Sequence, residues 1–254
     1  MGIATQAVLA LQEGTLLAAR SLGGVWRGPR YAGDAVRQMD AIGCGSASIV
    51  LLTGFFTGAV LCVQTYPSMK DFGAQNQTGQ LVALALLREL GPVITALMVA
   101  GRVGSSIAAE LGSMAVSEQI DALRALGVDP LRKLVAPRLA ALLAALPLLT
   151  LVSNAAGIVG GGAVATTLYG QPMETFVASV LRGIQAEDVA AGLAKPLVFA
   201  LIIGTVACRE GMNTTGGTVG VGNATTRSVV HSSILVIIAD FFLAKAIQVL
   251  FGGS

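Results

Sequence analysis

Apolar residues fill five long stretches of this chain, and polar residues gather between them. A helix that crosses a membrane needs about 20 mostly apolar residues. The stretches predict spans at about residues 41–66, 78–101, 139–168, 189–208 and 228–251. Residues 139–173 carry no charge and leave room for an external turn at residues 169–172 after the third span. The pattern therefore predicts an all-α polytopic membrane protein, with a single transmembrane domain over residues 41–254.

The region before the first span has a different character. Residues 4–22 mix Gln6, Gln12, Glu13 and Arg20 with alanine and leucine, which suits an amphipathic helix lying in the membrane interface. We predict that residues 1–40 form a cytoplasmic, interfacial N-terminal helix region. A frayed tail is the alternative reading.

The distribution of basic residues predicts the orientation. Eleven arginine and lysine residues lie in segments 1–40, 102–138 and 209–227, whereas the opposite segments carry only Lys70, Arg182 and Lys245. Loops rich in lysine and arginine stay on the cytoplasmic side. We therefore expect a cytoplasmic N-terminus and, after five spans, a C-terminus on the outer side.

Composition excludes several classes of function. The chain is 54% hydrophobic and 12% charged, whereas soluble domains carry about 25% charged residues. A net charge of +2 without a basic run gives no sign of nucleic-acid binding. The three cysteines have no CxxC spacing and His231 is the single histidine, so we predict no metal site and no catalytic residue.

The longest strongly polar segment, residues 116–133, has the start and stop signals of two short helices. Ser117 is placed to cap the first helix, with Glu118 and Asp121 in its first turn. Gly127 is a stop signal, and Asp129 followed by Pro130 starts a second helix. A charged helical elbow between apolar spans predicts a docking element for a soluble partner. An ordinary solvated loop is the alternative.

Four charged residues fall inside the predicted spans, namely Arg88, Glu89, Lys195 and Asp240. Each would cost about 2.5–3.5 kcal/mol alone at a helix centre. Lys195 with Glu89 and Asp240 with Arg88 is one neutral arrangement, and the swapped pairing is equally open. The residues form either a polar pocket for a lipid headgroup, with Arg88 or Lys195 meeting phosphate, or an ion-pair network that fixes the helix register.

Glycine patterns add three expectations. The GxxxG pairs at residues 54–58 and 157–161 predict close helix packing. Gly91-Pro92 predicts a kink or break in the second span. The glycine-rich stretch 211–228 lacks the GK[ST] ending of a phosphate loop, so we expect a cytoplasmic loop there, with Thr225 or Thr226 capping the last span and His231 as a satisfied interface residue.

Two segments carry a family resemblance. Residues 81–130, LVALALLRELGPVITALMVAGRVGSSIAAELGSMAVSEQIDALRALGVDP, resemble the signature of the MlaE (YrbE) family of ABC-transporter permeases, and ATTRSVVHSS at residues 224–233 resembles that family's entry into its last helix. The resemblance covers roughly residues 40–250. Together with the N-terminal interfacial helix and the five transmembrane helices predicted above, it implies a short cytoplasmic coupling helix between the second and third transmembrane helices.

The resemblance also implies a function and partners. The implied function is that of a homodimeric permease, which moves phospholipid or a related lipid between the inner and outer membranes and thereby maintains outer-membrane lipid asymmetry. Two cytoplasmic ABC ATPase subunits bind ATP and Mg, so the chain needs no cofactor of its own and is not an enzyme. A periplasmic ring of MCE-domain proteins, and in some systems a STAS-domain protein, complete the assembly in the bacterial inner membrane.

The resemblance gives roles to two sets of residues. Lipid in the family lies between the two copies near the outer half of the membrane, where Arg88, Glu89 and Lys195 are expected. The segment that docks on the ATPase matches Glu118, Gln119, Asp121, Ala122, Leu123, Gly127, Asp129 and Pro130.

Two other classes of function compete with this interpretation. An ion-coupled secondary transporter or channel would use the intramembrane charges, but such transporters usually contain inverted repeats, and we find no internal similarity. A membrane-embedded lipid enzyme would need a nucleophile–base pair or a metal cluster, and no such grouping is visible. An ABC-transporter permease differs from both alternatives because it is inactive without an added ATPase.

Overall fold

A computed structural model of the chain describes residues 32–251, with side chains described for residues 33–249. The predicted interfacial helix at residues 4–22 lies outside the described residues. Between residues 32 and 251 the chain forms helices and short connections, with no β-strand. The all-α class predicted from the sequence is confirmed.

Nine α-helices make up most of the described part of the chain. They are α1 (Ala32–Asp71), α2 (Thr78–Ala85), α3 (Gly91–Val99), α4 (Ser105–Val116), α5 (Gln119–Ala125), α6 (Ala136–Thr167), α7 (Met173–Gly183), α8 (Ala186–Met212) and α9 (Gly217–Phe251). A short 3₁₀ turn, Gln75–Gln77, precedes α2.

Five helical stretches are long and apolar enough to cross a membrane. They are Gly33–Asp71, Gln75–Val116, Leu131–Thr167, Ala186–Met212 and Gly217–Val249. Each overlaps one predicted span, which confirms the five-span prediction. The chain is therefore a multi-pass membrane protein.

Three π-helical turns interrupt the helices, at Leu86–Leu90, Ala100–Gly104 and Leu131–Val135. The first is followed directly by Gly91-Pro92. Pro92 has no N–H to donate to the carbonyl of Arg88, so regular α-helical bonding is impossible there. The disturbance predicted at Gly91-Pro92 takes the form of a π turn, and the helix continues beyond it.

The chain divides into two compact units, each assembled from separate segments. The described residues of the first unit are 32–45, 99–145 and 198–236. Those of the second unit are 46–98, 146–197 and 237–251. Because the boundaries fall within α1, α3, α6, α8 and α9, these helices contribute residues to both units.

The first unit packs α4, α6, α8 and α9 around small residues. A side chain at Gly211 would meet Leu111, which shows how closely α8 approaches α4. Ser228 donates a hydrogen bond to the carbonyl of Gly104 at 3.2 Å and so attaches α9 to the second π turn. Both contacts depend on residues with small side chains.

The second unit has a distinct apolar core. Its buried members are Cys62, Val82, Ala83, Leu86, Ala165, Phe176 and Val180. A Cβ at Gly58 would collide with the backbone of Gly157, so α1 and α6 are in contact through their glycines. The close packing predicted from the GxxxG pairs is confirmed within this unit.

One helix of the second unit was not predicted. Helix α7 follows a turn in which Gly170 has a φ of 65°, at the predicted external turn. Its buried face comprises Phe176, Ser179, Val180 and Gly183. No helix or strand was predicted for residues 173–183.

Two predicted helix starts were wrong. Helix α9 begins at Gly217, so the loop predicted at residues 211–228 is mostly helix, and Thr225 and Thr226 both donate to the carbonyl of Gly222 inside it. Ser117 does not cap α5, because its hydroxyl donates back to the carbonyl of Ser113 at 2.7 Å. Glu118 occupies the cap position instead, in a left-handed conformation with φ 58°.

Candidate functional site

The four charges predicted inside the spans all lie in the second unit, and three of them meet at one ammonium group. The Nζ of Lys195, on α8, lies 2.7 Å from Glu89 Oε2 and 3.0 Å from Asp240 Oδ1 on α9. The Lys195 side chain is 1% exposed. The two carboxylates compensate the buried ammonium, which would be costly in an apolar interior if it were unpaired.

Arg88 has a different partner from the one predicted. Its Nε donates to Asp188 Oδ1 at 2.5 Å, and it is not paired with Asp240. Asp188 is buried and also accepts the backbone N–H of Gln185 at 2.9 Å, which fixes it at the start of α8. Of the arrangements left open, the Lys195–Glu89 and Lys195–Asp240 contacts are both present, and the Arg88–Asp240 contact is absent.

Asp188 is the member of the cluster that sequence reasoning missed. It lies one position before the predicted fourth span, so it was not counted among the intramembrane charges. The available signal was its place in the first turn of a helix, where acidic residues are favoured. Arg88 and Asp188 are 100 positions apart in the chain, so the spacing of residues could not predict that they pair.

We call these five residues, Arg88, Glu89, Asp188, Lys195 and Asp240, the charge cluster. Its inner part is closed, because Lys195 and Asp188 are buried. Its outer part is open, because the side chains of Arg88 and Glu89 are 56% and 47% exposed. The open part offers a guanidinium and a carboxylate, side by side on a π turn, and such turns are frequent at functional sites.

The predicted docking residues lie in the first unit, on and around α5. Ile120 is buried and anchors the helix, whereas Glu118, Gln119, Asp121 and Ala122 are exposed. Leu123 is half-buried. Leu126 directly follows α5 and is 77% exposed. Single exposed apolar residues are common on protein surfaces, so the predicted docking surface depends mainly on the exposed acidic residues. Leu126 was missing from the predicted docking set.

The elbow after α5 has the predicted stop and start signals. Gly127 has a φ of 74°, and its N–H donates to the carbonyl of Arg124 at 3.0 Å. Asp129 Oδ1 accepts the N–H of Leu131 at 3.0 Å, which caps the next helical segment. Pro130 is buried at the first helical position. These predictions from residues 127–130 are confirmed.

A second polar cluster in the first unit was not predicted. Glu210 Oε2 on α8 accepts a hydrogen bond from Arg227 Nε on α9 at 3.1 Å, and Oε1 lies 3.2 Å from His231 Nδ1. Arg209 is 3.6 Å from the same carboxylate. His231 therefore has a polar partner, in agreement with its interpretation as a satisfied residue.

Comparison with known sequences bears directly on these features. The sequence model of the family described as Permease MlaE matches residues 35–246, which include both the charge cluster and α5. The chain belongs to the MlaE permease family. The resemblance seen in residues 81–130 and 224–233 is thereby confirmed.

Named relatives of this MlaE-family chain come from several bacteria. A probable ABC transporter permease protein of Rickettsia typhi is 41% identical over 217 residues, 85% of this chain and 84% of the relative. One from Synechocystis is 43% identical over 211 residues, 83% of this chain and 80% of the relative. The intermembrane phospholipid transport system permease protein MlaE of Haemophilus influenzae is 40% identical over 220 residues, 86% of this chain and 83% of the relative.

Membership of the MlaE family does not by itself assign roles to individual residues. The docking role of α5 and the lipid-binding role of the charge cluster stay predictions.

Proposed function

We propose that this chain is the membrane subunit of an ABC transporter that moves phospholipid between the inner and outer membranes of a bacterium. A separate ATPase supplies the energy. The observation that carries the proposal is the charge cluster, an open guanidinium and carboxylate held within apolar spans of an MlaE-family permease. The name of the Haemophilus influenzae relative supports phospholipid as the cargo.

Arg88 is the proposed phosphate ligand. Its Nε is occupied by Asp188, while its two terminal nitrogens have no partner among the described residues. A guanidinium binds phosphate oxygens through two parallel hydrogen bonds. Lys195, the other candidate, is buried between two carboxylates and has a structural role in this proposal.

The α5 segment is the proposed ATPase-docking element. Its acidic residues and Leu126 are exposed, and Ile120 fixes the helix to the first unit. The excess of basic residues in segments 102–138 and 209–227 supports a cytoplasmic position for α5 and for the N-terminus, and a periplasmic C-terminus.

The complete transporter contains two copies of the chain in this proposal. Helix α9 is the least buried of the five long helices and exposes Ile234, Ile238, Phe241 and Phe242. Its other face holds Asp240 against Lys195. A second copy along α9 would enclose the charge clusters of both chains. A periplasmic MCE-domain ring and, in some systems, a STAS-domain protein complete the assembly.

Charge reversal on α5 tests the docking proposal. The double variant Glu118→Lys and Asp121→Lys should insert normally, lose co-purification with the ATPase and lose lipid transfer between vesicles. The matched control is Glu174→Lys with Glu187→Lys, two exposed acids of the second unit. It should keep the ATPase bound. Retained ATPase binding and transport in the α5 variant would refute the docking role.

Substitution of Arg88 tests the lipid-binding proposal. Arg88→Glu, and the milder Arg88→Gln, should reduce the amount of co-purified phospholipid more than they reduce dimer assembly. Arg182→Gln, an exposed arginine on α7, is the control. A dimer that dissociates while the residual dimer keeps normal lipid would instead indicate a purely structural ion-pair network.

An ATP-dependence experiment separates this proposal from an ion-coupled transporter. The purified chain in vesicles should transfer no lipid until the ATPase and ATP are added. Transport driven by an ion gradient without ATPase would favour the alternative.

A further inference from the structure

We infer that the charge cluster selects a zwitterionic phospholipid headgroup that carries a primary ammonium group, in preference to an anionic headgroup. The inference rests on the proposed function and adds the headgroup class to it. Its basis is the number of charges in the cluster and the identity of the atoms that remain open.

The cluster carries one negative charge in excess. Arg88 and Lys195 contribute two positive charges, and Glu89, Asp188 and Asp240 contribute three negative charges. An anionic headgroup would raise the excess to two negative charges, in a region where charges are weakly screened. A headgroup with one phosphate and one ammonium leaves the excess unchanged.

The open atoms match the two ends of such a headgroup. The terminal nitrogens of Arg88 are free to bind the phosphate. Glu89 uses Oε2 to accept from Lys195, while its Oε1 has no hydrogen-bond partner in the described part of the chain. Because Arg88 and Glu89 are neighbours in sequence and both half-exposed, one headgroup can reach a donor fork and a carboxylate oxygen together.

A primary ammonium suits Glu89 better than a quaternary one. An ammonium donates hydrogen bonds to a carboxylate, and bonds between two charged groups are about twice as strong as neutral ones. A choline headgroup has the same charge but no donor. An aminophospholipid of the ethanolamine type is therefore the expected cargo, and Glu89 is its specificity-determining residue.

The lipid retained by the wild-type chain provides the first test. The chain is reconstituted in nanodiscs of equal parts phosphatidylethanolamine and phosphatidylglycerol with matched acyl chains, and is then extracted in mild detergent. The tightly bound lipid is identified by mass spectrometry. We expect about tenfold enrichment of phosphatidylethanolamine, which corresponds to about 1.4 kcal/mol of preference.

The second test removes the ammonium acceptor. Glu89→Gln keeps an oxygen that can accept from Lys195 but removes the negative charge, so the enrichment should fall to within about twofold of the bilayer ratio. Glu187→Gln removes the same charge from an exposed residue of the same unit that takes no part in the cluster. This control should keep the wild-type enrichment.

The outcomes separate the inference from the proposed function. Retained lipid with the composition of the bilayer, or an unchanged enrichment in Glu89→Gln, would overturn the headgroup inference while leaving phospholipid transport intact. Absence of any retained lipid, together with absence of ATP-dependent transfer, would overturn both.

Discussion

Lys195 and Glu89 lie 106 positions apart in the chain, yet their side chains meet at 2.7 Å inside the second unit. The same ammonium also faces Asp240 at 3.0 Å. One buried cation therefore connects the first π turn with α8 and α9. Its removal would leave two carboxylates without their shared counter-ion.

Replacement of Lys195 by methionine should destabilise the protein. Breaking a buried ion pair costs about 3–5 kcal/mol, and the half-exposed position of Glu89 reduces the expected loss to about 2 kcal/mol. Thermal unfolding in a fixed detergent measures the change. Lys245→Met, the same substitution at an exposed position of α9, is the control and should leave the midpoint unchanged. Equal stability of the two variants would contradict the counter-ion role.

Alanine at Gly58 should disturb the contact between α1 and α6. The added Cβ would collide with the backbone of Gly157, which cannot move aside as a side chain can. The expected cost is about 1–3 kcal/mol from overpacking. Gly43→Ala, in the same helix with open space around it, should instead be neutral or stabilise by about 0.5–1 kcal/mol. Unfolding of both variants in one detergent gives the comparison.

Truncation of Phe176 tests whether α7 stabilises the second unit by contributing to its apolar core. Phe176 is fully buried in the apolar core of the second unit, so Phe176→Ala should cost about 3–5 kcal/mol. Phe72→Ala removes the same ring from an exposed site and should cost about 0.5 kcal/mol or less. Thermal unfolding in a fixed detergent measures both changes. Equal unfolding midpoints for the two variants would contradict the core role of α7.

Neutralisation of Glu210 should weaken the attachment of α9 to α8 in the first unit. Glu210→Gln keeps the shape but leaves Arg227 and His231 without an anionic partner, at an expected cost of about 1–3 kcal/mol. The control Asp121→Asn also breaks an ion pair, the one between Asp121 and Arg124, but both members of that pair are exposed. Such a pair contributes about 0–1 kcal/mol, so the control should unfold near the wild-type temperature.

The sequence was sufficient to predict the spans, because a 20-residue apolar stretch has few other stable environments. It was also sufficient for the elbow at Gly127 and Asp129, where the backbone conformation and the cap depend on local residues. It failed at α7 because this helix is short, carries Glu174 and Arg182, and buries only one face. It failed at Gly217 because glycine disfavours helices in water, whereas membrane helices tolerate it.

The pairing in the charge cluster could be predicted only in part. The need for partners followed from the cost of intramembrane charge, and the Lys195–Glu89 contact was among the arrangements considered. The Arg88–Asp188 pair depends on how α2, the π turn and α8 are rotated about their axes. That rotation is a tertiary property, which the spacing of residues along the chain does not determine. Leu126 and Glu210 were missed for the same reason, since their significance lies in exposure and in distant neighbours.

The π turn at Leu86–Leu90 contains the equivalent of one inserted residue. In a regular stretch of α-helix, deletion of one residue rotates all later side chains by about 100° about the helix axis and separates them from their partners. Within this turn, a one-residue deletion would instead remove the extra residue, so that α3 would keep its alignment with its neighbours while Pro92 would still leave one carbonyl without an α-helical donor. The chain could therefore shorten here without unfolding, and the cost would fall on the orientation of Arg88 and Glu89. The length of the chain at this point therefore affects the orientation of Arg88 and Glu89 more than the packing of the helices around them.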